Sequence, residues 1–248
     1  MNAFRFLVIY GCFSWFWLLQ PEQPKLKIFM AGDSTMQLYD TSRTPQRGWG
    51  QVFGDYFNNN VQIVDLARGG RSTKSYIKEG LWNNLVNKVH KGDWVIIEFG
   101  HNDHDKRKPE RFTTPVQYKN NLITMIRDVQ GRGANPIVLT PIAMRNFDKS
   151  GVYKDGHGSY PCQARLAAQD CKIPVIDVDS LFGHVITQLG PEKSKDLFMN
   201  FGPGLYKAYP DGKTDNTHLR LSGAKVVAGI VADQIKTLKI SPISKYIL

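Results

Sequence analysis

The sequence predicts an α/β fold, a three-layer α/β/α sandwich in which helices cover both faces of a central five-stranded parallel sheet. After Pro24, five short runs of apolar and β-branched residues lack the apolar/polar alternation of strands that have one face in water. Longer amphipathic stretches lie between these runs, and alternation of strand and helix is typical of parallel sheets. A chain of 248 residues with 42% hydrophobic side chains is also long enough to bury such a core.

The five predicted strands are short and are separated by polar or glycine-rich turns. They cover residues 26–31, 61–66, 94–99, 136–140 and 174–178. Strands of this length are usual in globular proteins. Their unbroken apolar character indicates burial on both faces, as in a parallel sheet that is covered from each side.

The predicted helices cover residues 49–57, 79–89, 115–131, 160–171, 180–189 and 222–238. Gly131 and Gly133 are expected to end the third of these helices, and Ser222 is expected to cap the last. No repeat, low-complexity tract or linker divides the chain, so residues 25–248 are predicted to form one domain. Two long loops, residues 145–158 and 193–214, are expected to carry function, as long loops in compact domains usually do.

Residues 1–24 are set apart from this domain by an apolar run. The run covers residues 6–19, which is short of the roughly 20 residues that span a bilayer but suits the apolar region of a secretory signal. No small-residue cleavage site follows, so an uncleaved anchor and a segment packed on the domain stay open as alternatives. We expect a signal peptide or N-terminal anchor and a secreted, periplasmic or cell-surface protein. The sequence has no N-x-S/T glycosylation acceptor, which is consistent with a bacterial origin.

The net charge is strongly positive. Thirty-two Lys and Arg against 22 Asp and Glu give a formal charge of +10, which predicts an anionic partner: nucleic acid, a membrane surface or an acidic polymer. The same charge could serve solubility alone. Three cysteines are too few for a disulfide scaffold or a four-ligand zinc site, so no structural metal is expected.

Polar residues follow the first three predicted strands, at the ends where parallel sheets bind ligands. Ser34 follows the first strand, Gly70 the second and Asn102 the third. The backbone N–H groups of Ser34 and Gly70 and the side-chain amide of Asn102 could surround one oxygen, as the donors of an oxyanion hole do. Asp215 and His218 have a spacing at which the carboxylate can reach Nδ1 and leave Nε2 for a serine.

Each of these features also has an ordinary structural explanation. The Gly-Asp-Ser segment at 32–34 and the pair Gly69-Gly70 are common in turns, Asn102 could hold its own loop, and the segment 215–218 could cap the last helix. The His and Asp residues at 101–105 could suggest a metal cluster, but they leave a strand end in divergent directions and no distal ligand set matches them. The occurrence of all four motifs in order, at predicted strand ends, favours a serine hydrolase site.

On these motifs the chain resembles the SGNH (GDSL-type) hydrolases, and within them the rhamnogalacturonan acetylesterases. The resemblance covers most of residues 25–235. It rests on these blocks and phrases: Gly32-Asp33-Ser34, Gly48-Trp49-Gly50-Gln51, Gly69-Gly70-Arg71-Ser72, Gly100-His101-Asn102-Asp103, Thr140-Pro141-Ile142 with Arg145, and Asp215-x-x-His218. It implies a flavodoxin-like sandwich, removal of O-acetyl groups from a pectic polysaccharide, and no metal or organic cofactor. The chain departs from the family at Asp65, where Asn is frequent.

The resemblance and the chemistry of ester cleavage assign the catalytic roles. Ser34 is expected to attack the acetyl carbonyl and His218 to take its proton and deliver it to the leaving sugar hydroxyl, while Asp215 fixes the imidazole tautomer. Ser34, Gly70 and Asn102 are expected to form the oxyanion hole. Water then attacks the acyl-enzyme, with His218 again as the base.

The substrate contacts and the partner follow from the same prediction. Trp49 and Arg71 are expected to line the sugar cleft. Basic residues after the second and third strands make an acetylated acidic polysaccharide the favoured partner. Nucleic acid is not expected, nor is a stable membrane partner unless the N-terminus is an anchor. A lipase or general esterase of the same superfamily and a non-catalytic carbohydrate-binding relative stay open as alternatives, as does the oligomeric state.

Overall fold

The computed structural model describes residues 25–248, so the predicted signal peptide or anchor at 1–24 lies outside the described residues. A five-stranded sheet forms the centre: β1 Leu26–Gly32, β2 Val61–Asp65, β3 Trp94–Glu98, β4 Asn135–Leu139 and β5 Val175–Ile176. The strands lie in the order β2-β1-β3-β4-β5, and every neighbouring pair is parallel. The prediction of a five-stranded parallel sheet is therefore confirmed, with each strand within two residues of its predicted ends.

Helices cover both faces of this sheet. In chain order the helices of the described residues are α1 Gly50–Phe53, α2 Thr73–Lys78, α3 Leu81–Val86, α4 Pro115–Gly131, α5 Tyr160–Asp170, α6 Val178–Lys193 and α7 Leu221–Thr237. Buried side chains of α1, α6 and α7 pack on one face, and those of α2 to α5 pack on the other. This arrangement is the three-layer α/β/α sandwich that the sequence predicts.

The central strand shows how the two layers are separated. In β1, Ile28 and Met30 face the layer of α1, α6 and α7, whereas Phe29 and Ala31 face the opposite layer, and all four are at most 3% exposed. β2 lies at an edge of the sheet, so its residues are only partly buried or, at Gln62, exposed. Val61 and Ile63 still pack on one layer and Val64 on the other, so the prediction of burial on both faces holds for the central strands and only in part for β2.

Side-chain caps determine where several helices begin. At the start of α4, the Thr114 hydroxyl accepts the N–H of Gln117 at 3.2 Å and the Gln117 side chain accepts the N–H of Thr114 at 2.9 Å, a reciprocal capping box. The predicted cap at Ser222 is wrong because α7 begins one residue earlier. Ser222 instead donates its hydroxyl to the carbonyl of Asp196 at 2.5 Å. Within residues 25–248, no helix has the length and apolar character needed to cross a bilayer.

Candidate active site

Three side chains from distant parts of the chain meet at the carboxyl edge of the sheet. Ser34 follows β1, and Asp215 and His218 lie in the turn before α7. His218 Nδ1 is 2.8 Å from Asp215 Oδ2, and His218 Nε2 is 2.9 Å from Ser34 Oγ. A carboxylate at Nδ1 favours the tautomer that leaves Nε2 unprotonated and ready to accept the hydroxyl proton. The structure thus brings together the three residues that sequence reasoning proposed as a triad.

Asp215 is held as a carboxylate. Its Oδ1 accepts the backbone N–H groups of Thr217 and His218 at 3.0 Å each, in addition to the imidazole at Oδ2. Burial acts to raise the pKa of Asp215, but the hydrogen bonds from His218 and Thr217 and the charge of His218 outweigh it and hold that pKa below its usual range. Lys213 Nζ lies 3.5 Å from Oδ2. Asp215 is therefore charged at neutral pH, as a residue that orients a catalytic base must be.

A cavity of about 390 Å³ opens beside the serine and the histidine, and Gly70 and Asn102 also line it. Within residues 25–248, neither the Ser34 N–H nor the Gly70 N–H has a backbone acceptor. Gly70 has a φ of 77°, in the left-handed region that glycine adopts without strain. Two backbone donors without backbone acceptors at the mouth of a small cavity are suited to receive a negatively charged oxygen.

Asn102 lies in the same cavity, but its amide already has two acceptors. Nδ2 donates to Asp33 Oδ2 and to the carbonyl oxygen of Arg71, both at 3.0 Å. An amide nitrogen carries two hydrogens, so Asn102 can bind an oxyanion only by sharing one of them with these acceptors. The amide is therefore held in a defined orientation, and its role as the third oxyanion donor stays a prediction.

Two buried carboxyl groups, Asp33 and Glu98, lie next to the nucleophile and are joined through Thr35. Thr35 Oγ1 is 2.9 Å from Asp33 Oδ1 and 3.0 Å from Glu98 Oε2. Because a hydroxyl has one hydrogen, one of the two carboxyls must supply the proton of the second contact. Burial raises the pKa of both groups, and the charge of Asp33 further raises that of Glu98, to about 8. We assign the proton to Glu98, since Asp33 accepts the Asn102 amide and is better stabilised as a carboxylate.

The structure corrects one predicted sugar contact, Trp49, and leaves the other, Arg71, a prediction. Trp49 is 0% exposed and its Nε1 points to Glu98 Oε2 at 3.4 Å, so it belongs to the core and cannot line a cleft. Arg71 lies outside the catalytic cavity, because its Nε pairs with Glu79 at 2.9 Å and its Nη1 donates to the Gly69 carbonyl at 2.8 Å. What Arg71 contributes to the site is its backbone carbonyl, which holds the Asn102 amide.

A buried chain of two histidines lies behind one wall of the cavity, to which His101 contributes, and sequence reasoning missed this chain. Asp179 Oδ1 is 3.0 Å from His157 Nδ1, and His157 Nε2 is 3.1 Å from His101 Nδ1. The Asp179 carboxylate accepts the Nδ1–H of His157, and in that tautomer His157 Nε2 accepts the Nδ1–H of His101. Burial, with smaller effects from His157 and His104, lowers the pKa of His101 well below its ordinary value. The available signal was the length of the 145–158 loop, which carries His157.

Asp155, His157 and Asp179 form a group of potential metal ligands, and it is the one such group within residues 25–248. Their candidate ligand atoms lie within 4.8 Å of one another. Both ring nitrogens of His157 are already engaged, one by Asp179 and the other by His101. The hydrogen-bonded chain accounts for this geometry without an ion.

Arg145 holds the turn that carries Asp215 and His218, and this role was also missed. Its backbone N–H donates to the carbonyl of Asn216 at 2.8 Å, and its Nη1 donates to Asn216 Oδ1 at 2.9 Å. Its Nε donates to Ser194 Oγ at 3.1 Å, which ties the turn to the end of α6. Arg145 stands out in the sequence only as part of the phrase that carries the family resemblance.

A three-layer α/β/α sandwich with a serine, a histidine and an aspartate in contact at the carboxyl edge of its sheet defines a carboxylic ester hydrolase of the serine type. Residues 30–226 match the GDSL-like lipase/acylhydrolase family, and the chain belongs to this family. The superfamily suggested by the motifs at strand ends is thereby confirmed.

Individual relatives are similar to this chain over most of its length. Rhamnogalacturonan acetylesterase RhgT of Bacillus subtilis (strain 168) is 36% identical over 214 residues, which are 86% of this chain and 90% of RhgT. Probable rhamnogalacturonan acetylesterase YesY of the same strain is 34% identical over 212 residues, which are 85% of this chain and 93% of YesY. The crystal structure of protein YxiM from Bacillus subtilis superimposes with a TM-score of 0.75 and 25% identity, covering 90% of this chain and 59% of that one.

Proposed function

We propose that the protein removes O-acetyl groups from an acetylated pectic polysaccharide, rhamnogalacturonan, through an acyl-enzyme on Ser34. The contact from Asp215 through His218 to Ser34 carries the proposal for the reaction. The proposal for the substrate rests on the names of RhgT and YesY and on their similarity over most of this chain.

The reaction follows from the positions of the three side chains. Ser34 Oγ attacks the acetyl carbonyl while His218 Nε2 takes the hydroxyl proton, and the resulting imidazolium is stabilised by Asp215. The backbone N–H groups of Ser34 and Gly70 stabilise the negative oxygen of the tetrahedral intermediate. Its collapse breaks the bond to the sugar oxygen, which leaves with the proton from His218. Water, deprotonated by His218, then releases acetate.

The character of the cavity supports a polar substrate over a lipid. Arg111 Nη2 and Arg107 Nε lie 3.1 Å and 2.7 Å from Asp105, and Asp215 adds a second carboxylate to the lining. Among the described residues that line this cavity, Met144 is the one large apolar side chain. A long-chain acyl group would need an apolar groove, and a sugar with a nearby uronate would not.

The test compares acetate release from acetylated rhamnogalacturonan, acetylated xylan and a long-chain aryl ester, with Ser34→Ala as the control. We expect the highest kcat/KM on rhamnogalacturonan and no turnover by the Ser34→Ala variant. Equal activity on xylan would remove the pectic assignment and leave the esterase assignment standing. Acetate release by Ser34→Ala at the wild-type rate would remove Ser34 as the nucleophile, and inactivity on every ester would favour a non-catalytic carbohydrate-binding protein.

We also propose that the protein is exported. The support is the apolar run at residues 6–19 after Arg5, which has the length of a secretory signal. Fractionation of bacteria that express the full chain, with mass spectrometry of the mature N-terminus, tests this proposal. Recovery of the intact chain from the cytoplasm alone would contradict it.

A further inference from the structure

We infer that a second cavity next to the catalytic centre binds uronate carboxylates of the polysaccharide chain. This inference rests on the proposed function and specifies how the substrate is held. The cavity, called here the basic groove, has a volume of about 550 Å³, and its charged lining residues are Arg43, Arg47, Asp196, Lys207 and Arg220. Thr41, Ser42 and Thr44 also line it, so the lining is polar as well as charged.

The charge of the basic groove is largely uncompensated. Arg220 Nη2 pairs with Asp196 at 2.9 Å, whereas Arg43 and Lys207 have no carboxylate within ion-pair distance in the described part of the chain. Arg47 donates to the carbonyls of Thr44 and Gln46 at 2.7 Å each, so it also keeps its full charge. Four cations against one acid in a concave surface produce a positive potential that attracts anions.

The start of α7 adds to this potential. Leu221 and Ser222, the first residues of this 17-residue helix, line the basic groove. The N-cap residue, Arg220, makes no side-chain cap. Backbone N–H groups of the first turn and the positive end of the helix dipole favour a negative ligand there. The uncapped helix end thus supplements the cationic side chains that carry the inference.

The basic groove lies close enough to the nucleophile for one polysaccharide chain to occupy both cavities. Arg220 follows His218 by two residues, and Leu219 between them is 0% exposed. Side chains two positions apart in extended backbone point to the same side, about 6.5 Å apart along the chain, and Arg220 is extended. His218 in the catalytic cavity and Arg220 in the basic groove are therefore neighbours on one surface. With an acetylated sugar at Ser34, adjoining uronate units can reach the cations.

Calorimetric titration with a non-acetylated oligogalacturonate, a ligand that needs no ester cleavage, tests the inference. The variant is Arg43→Gln/Lys207→Gln, and both of its side chains are exposed. The matched control is Arg127→Gln/Lys88→Gln, which removes the same two charge types from exposed positions on α4 and after α3. We expect the groove variant to bind about 5- to 10-fold more weakly, in keeping with two exposed ionic contacts, and the control to bind like the wild type. The KM for acetylated rhamnogalacturonan should rise by a similar factor, with kcat/KM on p-nitrophenyl acetate unchanged.

Three binding results would overturn the inference, as would the kinetic result given below: unchanged oligogalacturonate binding by the groove variant, an equal loss in the control pair, or equally strong binding of inorganic phosphate. Failure of the proposed function would be distinguishable from failure of this inference. If the protein binds oligogalacturonate in the basic groove but does not deacetylate rhamnogalacturonan, the proposed substrate is rejected and the anion site is kept. Deacetylation with unchanged KM in the groove variant would reject the anion site and keep the function.

Discussion

Replacing Asp65 with Asn tests the electrostatics of the loop after β2, where the chain departs from its family. Asp65 is the last residue of β2, and its Oδ1 accepts the N–H of Ala67 at 2.9 Å, while Oδ2 is buried and has no hydrogen-bond partner among residues 25–248. Burial raises the pKa of Asp65 to about 7, and the hydrogen bond from Ala67 opposes this only in part. The folded protein therefore favours the neutral carboxyl.

The sign and size of the effect follow from proton linkage. In the unfolded chain Asp65 ionises near 3.8, and in the folded protein its pKa is about 7. The folded state binds this proton more tightly than the unfolded chain does. The resulting stability of the folded wild type is fully present below pH 4 and is lost as the pH rises from about 4 to about 7. The full difference between the two pKa values corresponds to about 4 kcal/mol in the free energy of unfolding, at about 1.4 kcal/mol per pKa unit. Because the residue as a whole is half-buried, water can relax around the charge, and we expect about 2 to 4 kcal/mol.

Guanidinium unfolding of the wild type and of Asp65→Asn at pH 5 and pH 8 measures this difference. Asn keeps an oxygen for the Ala67 N–H and has no charge. Because part of the loss has already occurred by pH 5, the stability of the variant relative to the wild type should increase by about 0.5 to 2.5 kcal/mol between the two pH values. Hydrolysis of p-nitrophenyl acetate should be unchanged, since Asp65 does not line the catalytic cavity. A stability difference that is the same at both pH values would refute the assignment of a neutral buried carboxyl.

Three further substitutions test the site. Asn102→Ala should lower kcat on the order of 100-fold while circular dichroism shows a folded protein, because one oxyanion donor is lost; wild-type turnover would exclude Asn102 from the oxyanion hole. Asp215→Asn should lower kcat on the order of 10⁴-fold because the imidazole tautomer is no longer fixed, and a loss below tenfold in acetate release would contradict the triad. His157→Phe leaves Asp179 and His101 unpaired and should cost about 1–3 kcal/mol in denaturant unfolding; an unchanged midpoint would contradict the buried chain.

Three of the four catalytic motifs could be predicted from the sequence because each of them follows a strand. Ser34, Gly70 and Asn102 come after β1, β2 and β3, and parallel strands end at the same edge of their sheet. Unbroken apolar runs identified the strands without any knowledge of their order. The order itself, and with it the exposure of β2 at an edge, depends on which helices cover which face, and local sequence does not specify that.

The directions of individual side chains could not be predicted. Trp49 follows the first strand in a glycine-rich loop, which suggested a cleft position, yet its indole is buried in the core and donates to Glu98. The sequence did hold a sign of this contact in Glu98. Glu98 is an acidic residue inside a strand predicted to be buried, and a buried acid needs hydrogen-bond donors such as the Trp49 indole. Arg71 similarly follows Gly70, but its side chain turns to Glu79 and only its carbonyl reaches the site.

The residues that hold the site together are the part that sequence periodicity cannot reveal. The turn with Asp215 and His218 lies outside the central sheet. Isolated antiparallel bridges flank it, Phe201 with Lys213 and Phe198 with Leu219, and polar side chains hold the turn between them. Arg145 reaches Asn216 across 71 positions, and His157 reaches His101 across 56. Such long-range polar pairs lie in loops, where no repeat of 2 or 3.6 residues marks them. Loop length alone pointed toward them, because a loop that positions catalytic groups must be long enough to reach from its own strand to theirs.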